Sequence, residues 1–250
     1  MSGHSKWAGI KYKKALVDTK KGKEFTKVAN MITVAAKQGG GDEKMNFSLR
    51  LAIDKARAIN MPAANVERAI KRGTGELGGA TLEEVTYEGY APAGVAVLIE
   101  AMTDNHNRTT ADIRNIFSKH GGNMAEAGAV SYIFEQKSQI EISFKKQKID
   151  KDKIELAIID SGADDFEQSG DEIIVYCQKQ KLRKVKENLE SSGINIDSAE
   201  ITYIPKNEIR INDATTASKV MKLIDILEDN DDVTAVHANL DIPEEILEKI

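Results

Sequence analysis

A single cysteine, Cys177, in a chain of 250 residues cannot close an intramolecular disulfide, and it offers no multi-cysteine metal site. A reducing, cytoplasmic setting is the expectation, and Cys177, lying inside an apolar strand pattern, reads as a core residue. Histidine is as scarce: the four, at positions 4, 106, 120 and 237, show no H-x-x-x-H spacing, so no zinc is expected. With only 4 prolines and 18 glycines the chain is neither fibrous nor linker-like. Hydrophobic residues at 41% set against charged residues at 30% exclude a disordered polymer. No apolar run approaches the roughly 18 residues that a membrane span needs. The opening Met1-Ser2-Gly3-His4-Ser5-Lys6-Trp7 lacks the apolar core of a secretory signal, so no membrane partner is expected.

Catalytic signatures are missing too. Gly73-Thr74-Gly75-Glu76-Leu77-Gly78 fits G-x-G-x-x-G but follows a helical pattern and precedes a strand pattern, the reverse of a dinucleotide site, and reads as a hinge. No Walker A sequence occurs. The acidic pairs Asp164-Asp165 and Asp231-Asp232 fall where solvated loop carboxylates are ordinary, and nothing marks them for acid–base work. No enzyme, no cofactor and no small-molecule substrate are expected.

What the chain does have is charge divided along its length. Residues 1–72 hold 12 Lys and 4 Arg against six acids, a net of +10, while the remainder carries −15. Such asymmetry points to a polyanionic partner for the basic part, with the acidic part limiting indiscriminate binding. The basic part is helical in pattern. Phe25, Val28, Ala29, Ile32, Ala35 and Ala36 recur at helical spacing until Gly39-Gly40-Gly41. Leu49, Ala52, Ile53, Ala56 and Ile59 make a second stripe that Met61-Pro62 breaks, and Val66, Ala69 and Ile70 a third that ends at Gly73. Beyond the hinge, Val85 and Tyr87 alternate with polar residues, Ala91–Gly94 turns, and Val95–Met102 is a continuous apolar run, which predicts two strands. A helix over 113–120 and a strand over 129–134 follow. Residues 139–204 give the order βαββαβ, the ferredoxin-like split βαβ unit. The tail adds a helix through Ala217, Val220, Ile224 and Leu227 and a strand at 233–237, the elements that 80–134 lacks.

The expected fold is therefore mixed α/β of the α+β kind, in three domains. A basic helical domain spans 1–76, a discontinuous α+β middle domain 77–134 plus 206–250, and an inserted ferredoxin-like domain 135–205. A monomer is expected.

Phosphate contacts are expected from Lys6, Lys11, Lys13, Lys14, Lys20 and Lys21 in the aperiodic lead-in, and from Lys23, Lys27, Lys55, Arg57, Arg68, Lys71 and Arg72 on polar helix faces, with Lys37 beside them. Trp7 among the lysines either stacks on an unpaired base or packs the lead-in onto the bundle. Thr103–Thr110 joins a buried strand to a helix start. Capping accounts for Asp104 and the threonines, while Arg108 is a candidate phosphate contact.

An ordered series of motifs resembles the YebC/PmpR family over essentially the whole chain. It consists of Gly3-His4-Ser5-Lys6-Trp7, Ile10–Ala15 through Asp18 and Lys21-Gly22-Lys23, Phe25-Thr26-Lys27, Asn60-Met61-Pro62, Arg68–Gly73, Tyr87-Glu88-Gly89-Tyr90, and Thr103-Asp104-Asn105 with Asn107-Arg108-Thr109. Tyr12 stands for a usual His, Phe47-Ser48 for Pro-Arg, His106 for a frequent Arg, and Ala91 and Ala93 for glycines. The resemblance implies a three-domain α/β protein with no enzymatic activity. It implies a DNA-binding regulator of transcription, or, as for mitochondrial relatives and some bacterial ones, a translation factor acting on RNA at the ribosome. Lysines read phosphate charge and not base identity, so the basic segment suits either polymer. The absence of a helix-turn-helix with a polar recognition helix favours RNA or the ribosome.

Overall fold

The computed structural model describes residues 21–78, 81–147 and 149–250. In chain order these form α1 (Lys21–Gly39), α2 (Phe47–Ala58), α3 (Ala63–Gly73), β1 (Glu83–Tyr90), β2 (Ala96–Thr103), α4 (His106–Lys119) and β3 (Asn123–Ala125). Then come β4 (Phe134–Ser143), α5 (Lys151–Ser161), β5 (Asp165–Ser169), β6 (Glu172–Gln178), α6 (Leu182–Ser191) and β7 (Ser198–Pro205). The tail supplies β8 (Ile209–Arg210), α7 (Ala214–Glu228), β9 (Val233–Ala238), β10 (Leu240–Asp241) and the short α8 (Glu244–Leu247). The described residues fall into two compact units, one of 21–135 with 205–250, the other of 136–204.

In the first unit, the apolar stripes of α1, α2 and α3 close on one another. Val28, Ile32, Ala35 and Ala36 meet Leu49, Ala52, Ile53 and Ala56, with Met61 and Ala69 completing a buried cluster. Each large aliphatic side chain sealed there is worth roughly 1.5–3 kcal/mol. Small residues let α1 and α3 approach closely: a Cβ on Gly73 would lie 2.3 Å from the Thr33 carbonyl oxygen and 2.7 Å from the Ala36 Cβ. Thr33 Oγ1 adds a bond across the same seam, donating to the Ala69 carbonyl at 3.1 Å. Asn46 caps α2 by accepting from the Leu49 amide, and its own amide group donates to the carbonyls of Ala35 and Gly40. Asn60 turns the chain out of α2 at φ 57, a left-handed conformation that asparagine tolerates better than most residues.

The same unit contains a four-stranded antiparallel sheet in the order β3-β1-β2-β9. Gly89 on β1 lies under the Phe117 ring of α4, where a Cβ would come within 2.6 Å of the ring. Helix α4 therefore covers the face of Tyr87, Gly89 and their cross-strand partners Ile99 and Val97. Helix α7 packs on α4 and β9, and α1 touches β2 and β9. On the opposite face Glu84, one residue out of phase, accepts from Gln38 of α1 at 3.0 Å. Covered on both faces, β2 buries Ala96–Ile99 without interruption, which is why it reads as a continuous apolar run. The tail strand β9 pairs with β2 from Val97↔Ala238 to Ala101↔Val233, and Asn239 clips the end by accepting from the Ala96 amide at 2.7 Å. Ala93 in the β1–β2 turn sits at φ 62, where an L side chain costs about 1–2 kcal/mol and a glycine would not.

The strand expected at 129–134 does not form. Residues 131–133 make a 3-10 turn, β3 at 123–125 takes the edge position beside β1, and β4 begins only at Phe134. The reason is Glu88, buried at 6% exposure, whose carboxylate accepts from the amides of Gly128, Val130 and Ser131 at 2.8, 2.6 and 3.0 Å. Those donors are spent on a side chain and are lost to any ladder.

The second unit has the order β4-α5-β5-β6-α6-β7 with sheet order β5-β6-β4-β7, the split βαβ arrangement expected. Ile140 and Ile142 on β4 and the whole run 173–177 on β6 are buried, and Ile154, Ile158, Leu182, Val185 and Leu189 are the buried apolar positions of the two helices. Gly162, at φ 88, ends α5.

Candidate nucleic-acid interface

Of the cations expected to meet phosphate, Lys6, Lys11, Lys13, Lys14 and Lys20, together with Trp7, lie outside the described residues. Lys21 is the first residue of α1. The others separate into groups that no local pattern in the sequence distinguishes.

Lys23, exposed, and Lys27, half-buried, stand one turn apart on α1 and turn toward the end of α7. Their ammonium groups donate to the backbone carbonyls of Asp229, at 3.0 Å, and Glu228, where α7 ends. Burial pulls the Lys27 ammonium below its ordinary value, and the nearby carboxylates of Glu228, Asp229 and Asp231 oppose that shift. Lys37, at the other end of α1, donates to the Leu82 carbonyl at 3.2 Å. On α2, Arg57 is exposed but bridges Asp54 at 3.0 Å and Glu43 at 3.4 Å. Lys55 is exposed on the same helix. Arg50, which the sequence pattern does not single out, closes the α1–α2 loop by donating to the carbonyls of Glu43 and Lys44.

Arg68, Lys71 and Arg72 differ. All three are exposed on α3, and none of their side chains has a hydrogen-bond or ion-pair partner among the described residues. Spaced i, i+3 and i+4, they stand on one strip of helix surface, with Ala69 and Ile70 turned to the core side. The two in the last turn also complement the helix dipole, so the cluster requires no compensating acid to persist in the fold.

Arg108 lies apart, at the β2–α4 junction. Its guanidinium pairs with Asp232 at 2.9 Å and with Asp104 at 3.2 Å. The Asp232 bond and charge, then Asp104, raise its already high pKa. Asp232 also accepts from Thr109 Oγ1 at 2.6 Å, and Thr103 Oγ1 lies 2.8 Å from that hydroxyl. Asp232 is thus no solvated loop carboxylate: its side chain is 16% exposed and it joins the β9 entrance to α4. The cap of α4 is Asn105, accepting from the Arg108 amide at 3.1 Å, and not Asp104. His106, the first residue of α4, sets its ring 5.8 Å from that of Tyr87. Two carboxylates thus already engage Arg108, the candidate phosphate contact of this segment.

Elsewhere the chemistry is quiet. Burial, then the charge of Asp164, pushes the Cys177 thiol up to about 11, leaving it protonated at neutral pH. Asp164 pairs with Lys181 at 2.8 Å. Among the described residues no His, Cys, Asp and Glu side chains gather in a group able to hold a metal ion, and no helix is long and apolar enough to cross a membrane.

A basic three-helix segment joined to two α+β sheets, one completed by the chain's own tail and the other ferredoxin-like, defines a class for which solved and curated counterparts exist. Residues 5–76 match the family model described as the TACO1/YebC protein N-terminal domain, and residues 82–240 the one described as the TACO1/YebC second and third domain. The chain belongs to the TACO1/YebC family. A protein of Persephonella marina is 51% identical over the full length of both chains, and one of a Sulfurihydrogenibium species 54% identical over 100% of this chain and 99% of its own. Both bear the name probable transcriptional regulatory protein. The crystal structure of a conserved hypothetical protein from Aquifex aeolicus superposes with a TM-score of 0.86 at 48% identity, covering 93% of this chain and 95% of its own.

Proposed function

We propose that this chain is a non-enzymatic, cytoplasmic nucleic-acid-binding regulator that grips phosphate backbones through its basic first segment, with DNA as its target in the control of transcription. The observation that carries the reading is the charge division, +10 over residues 1–72 against −15 over the rest. The exposed trio Arg68, Lys71 and Arg72 supports it, as do the names of the curated relatives. In this reading 1–76 binds, while 77–134 with 206–250 and the inserted 135–205 act as further domains of a monomer that present it. Lys6, Lys11, Lys13, Lys14, Lys20 and Lys21 add phosphate contacts, and Trp7 supplies a ring for stacking.

One observation favours RNA, within the ribosome, as the alternative target. Helix α3 follows α2 after four residues, yet its first turn, Ala63-Ala64-Asn65-Val66, offers Asn65 alone for hydrogen bonds to base edges. A recognition helix that reads a major groove needs more.

Affinity should fall steeply with salt. Replacing Lys11, Lys13 and Lys14 by alanine should reduce the log–log salt slope by roughly one unit for every phosphate left unneutralised. A salt-insensitive complex would overturn the reading. Crosslinking in cells with sequencing of both polymers separates the targets, since enrichment of ribosomal RNA over promoter DNA selects the second.

A further inference from the structure

Helix α7 has no basic residue in its last turn, and the amides of Asp229 and Asn230 serve the carbonyls of Asp225 and Leu227 but not those of Glu228 and Asp229. Those carbonyls are served by another helix: Lys23 and Lys27 of α1 bring two ammonium groups to Asp229 and Glu228, the arrangement that a helix C-terminus favours. The segment they reach is Glu228-Asp229-Asn230-Asp231-Asp232, four carboxylates in five residues. A phosphate brought to either lysine would enter that field of like charge. The far end of α1 is fastened as well, by Lys37 to the Leu82 carbonyl and Gln38 to Glu84. The first helix is therefore fastened at both ends to other elements of its own unit.

From this geometry we infer that Lys23 and Lys27 are positioning residues, not phosphate ligands: they clamp α1 to the end of α7 and so aim the α3 strip of Arg68, Lys71 and Arg72 at the polyanion. The inference rests on the polyanion reading and divides its cations into those that bind and those that orient.

The test uses the full chain, with a short DNA duplex and an RNA hairpin of matched length as probes, titrated across a range of salt. Lys23→Met with Lys27→Met keeps the aliphatic stems and removes the ammonium groups. This variant should lose affinity several-fold at every salt concentration while its log–log slope stays within about half a unit of the parent's. Amide exchange over residues 21–30 and 224–229 should quicken, and Lys23→Arg with Lys27→Arg should restore both readouts. Alanine at 68, 71 and 72 together should instead lower the slope by about two to three units with unchanged exchange in those segments. A slope reduced by about one unit per methionine, with exchange unaltered, would make the two lysines phosphate ligands and overturn the clamp; so would methionine variants with unchanged affinity. An unaltered slope in the triple alanine variant would overturn the assignment of the α3 strip. If the parent binds neither probe in a salt-dependent way, the polyanion reading itself fails. Amide exchange in the methionine variant then decides the clamp alone, faster exchange supporting it and unchanged exchange overturning it.

Discussion

Glu88 shows how one side chain sets the course of a segment forty residues away. Burial alone would raise its pKa, but the amides of Val130, Gly128 and Ser131 outweigh that and hold it below the ordinary carboxylate value. A folded-state pKa that is depressed contributes stability which is complete above the unfolded value and is lost as pH falls through the folded one. Glu88→Gln leaves one acceptor oxygen for three amides and should cost about 2–3 kcal/mol at neutral pH. Because the glutamine does not titrate, the gap between parent and variant should close as pH falls below about 4, which denaturant melts over a pH series would record. A gap that held constant into acid would refute the role given to the carboxylate. The motif Tyr87-Glu88-Gly89-Tyr90 marks Glu88 without giving it a role, since it is one polar residue in an alternating strand whose partners lie far along the chain. Asp232 is equally hidden. A carboxylate beside another carboxylate reads as solvated until the fold sets an arginine and a threonine against it.

Among the elements, the helices are the most legible, since their apolar stripes at 3.6-residue spacing are the surfaces that bury. Their polar faces are not. On an isolated α1, Lys23 and Lys27 are indistinguishable from solvated lysines; only the end of α7 makes them internal donors. Gly73 gives an element-scale test, because helix propensity and packing disagree there. Alanine in place of a helical glycine gains about 0.5–1 kcal/mol from propensity. The new Cβ, however, would sit 2.3 Å from the backbone oxygen of Thr33, which cannot rotate aside, and overpacking of that kind costs about 1–3 kcal/mol. Gly73→Ala should therefore lower the melting temperature, and a rise would show that α1 and α3 separate more easily than their seam suggests. The strand expected at 129–134 fails for the reason opposite to the helices' success. Its apolar character is real, Val130 being fully buried, but its amides have another acceptor.

At the scale of the molecule, the tail decides whether the first sheet exists. Strand β9 pairs with β2 along most of its length, and α7 buries Ala217, Val220, Leu223, Ile224 and Leu227 on one stripe. A fragment of residues 77–134 should fail to fold alone, whereas residues 134–205 carry four strands and two helices of their own and should melt cooperatively, as circular dichroism of the two fragments would show. A stable 77–134 fragment would refute the dependence on the tail. By itself the amino-acid sequence determined which stretches form helices and most of the strands, that the chain is α+β with a βαββαβ insertion, and that positive charge gathers in the first 72 residues. Periodicity and composition are local and survive in any unfolded chain. Tertiary structure alone decided which cations of the described helices are engaged within the protein. Whether a lysine faces solvent or a helix end depends on residues about two hundred positions away, and no pattern in the neighbourhood of Lys27 encodes the carbonyl of Glu228.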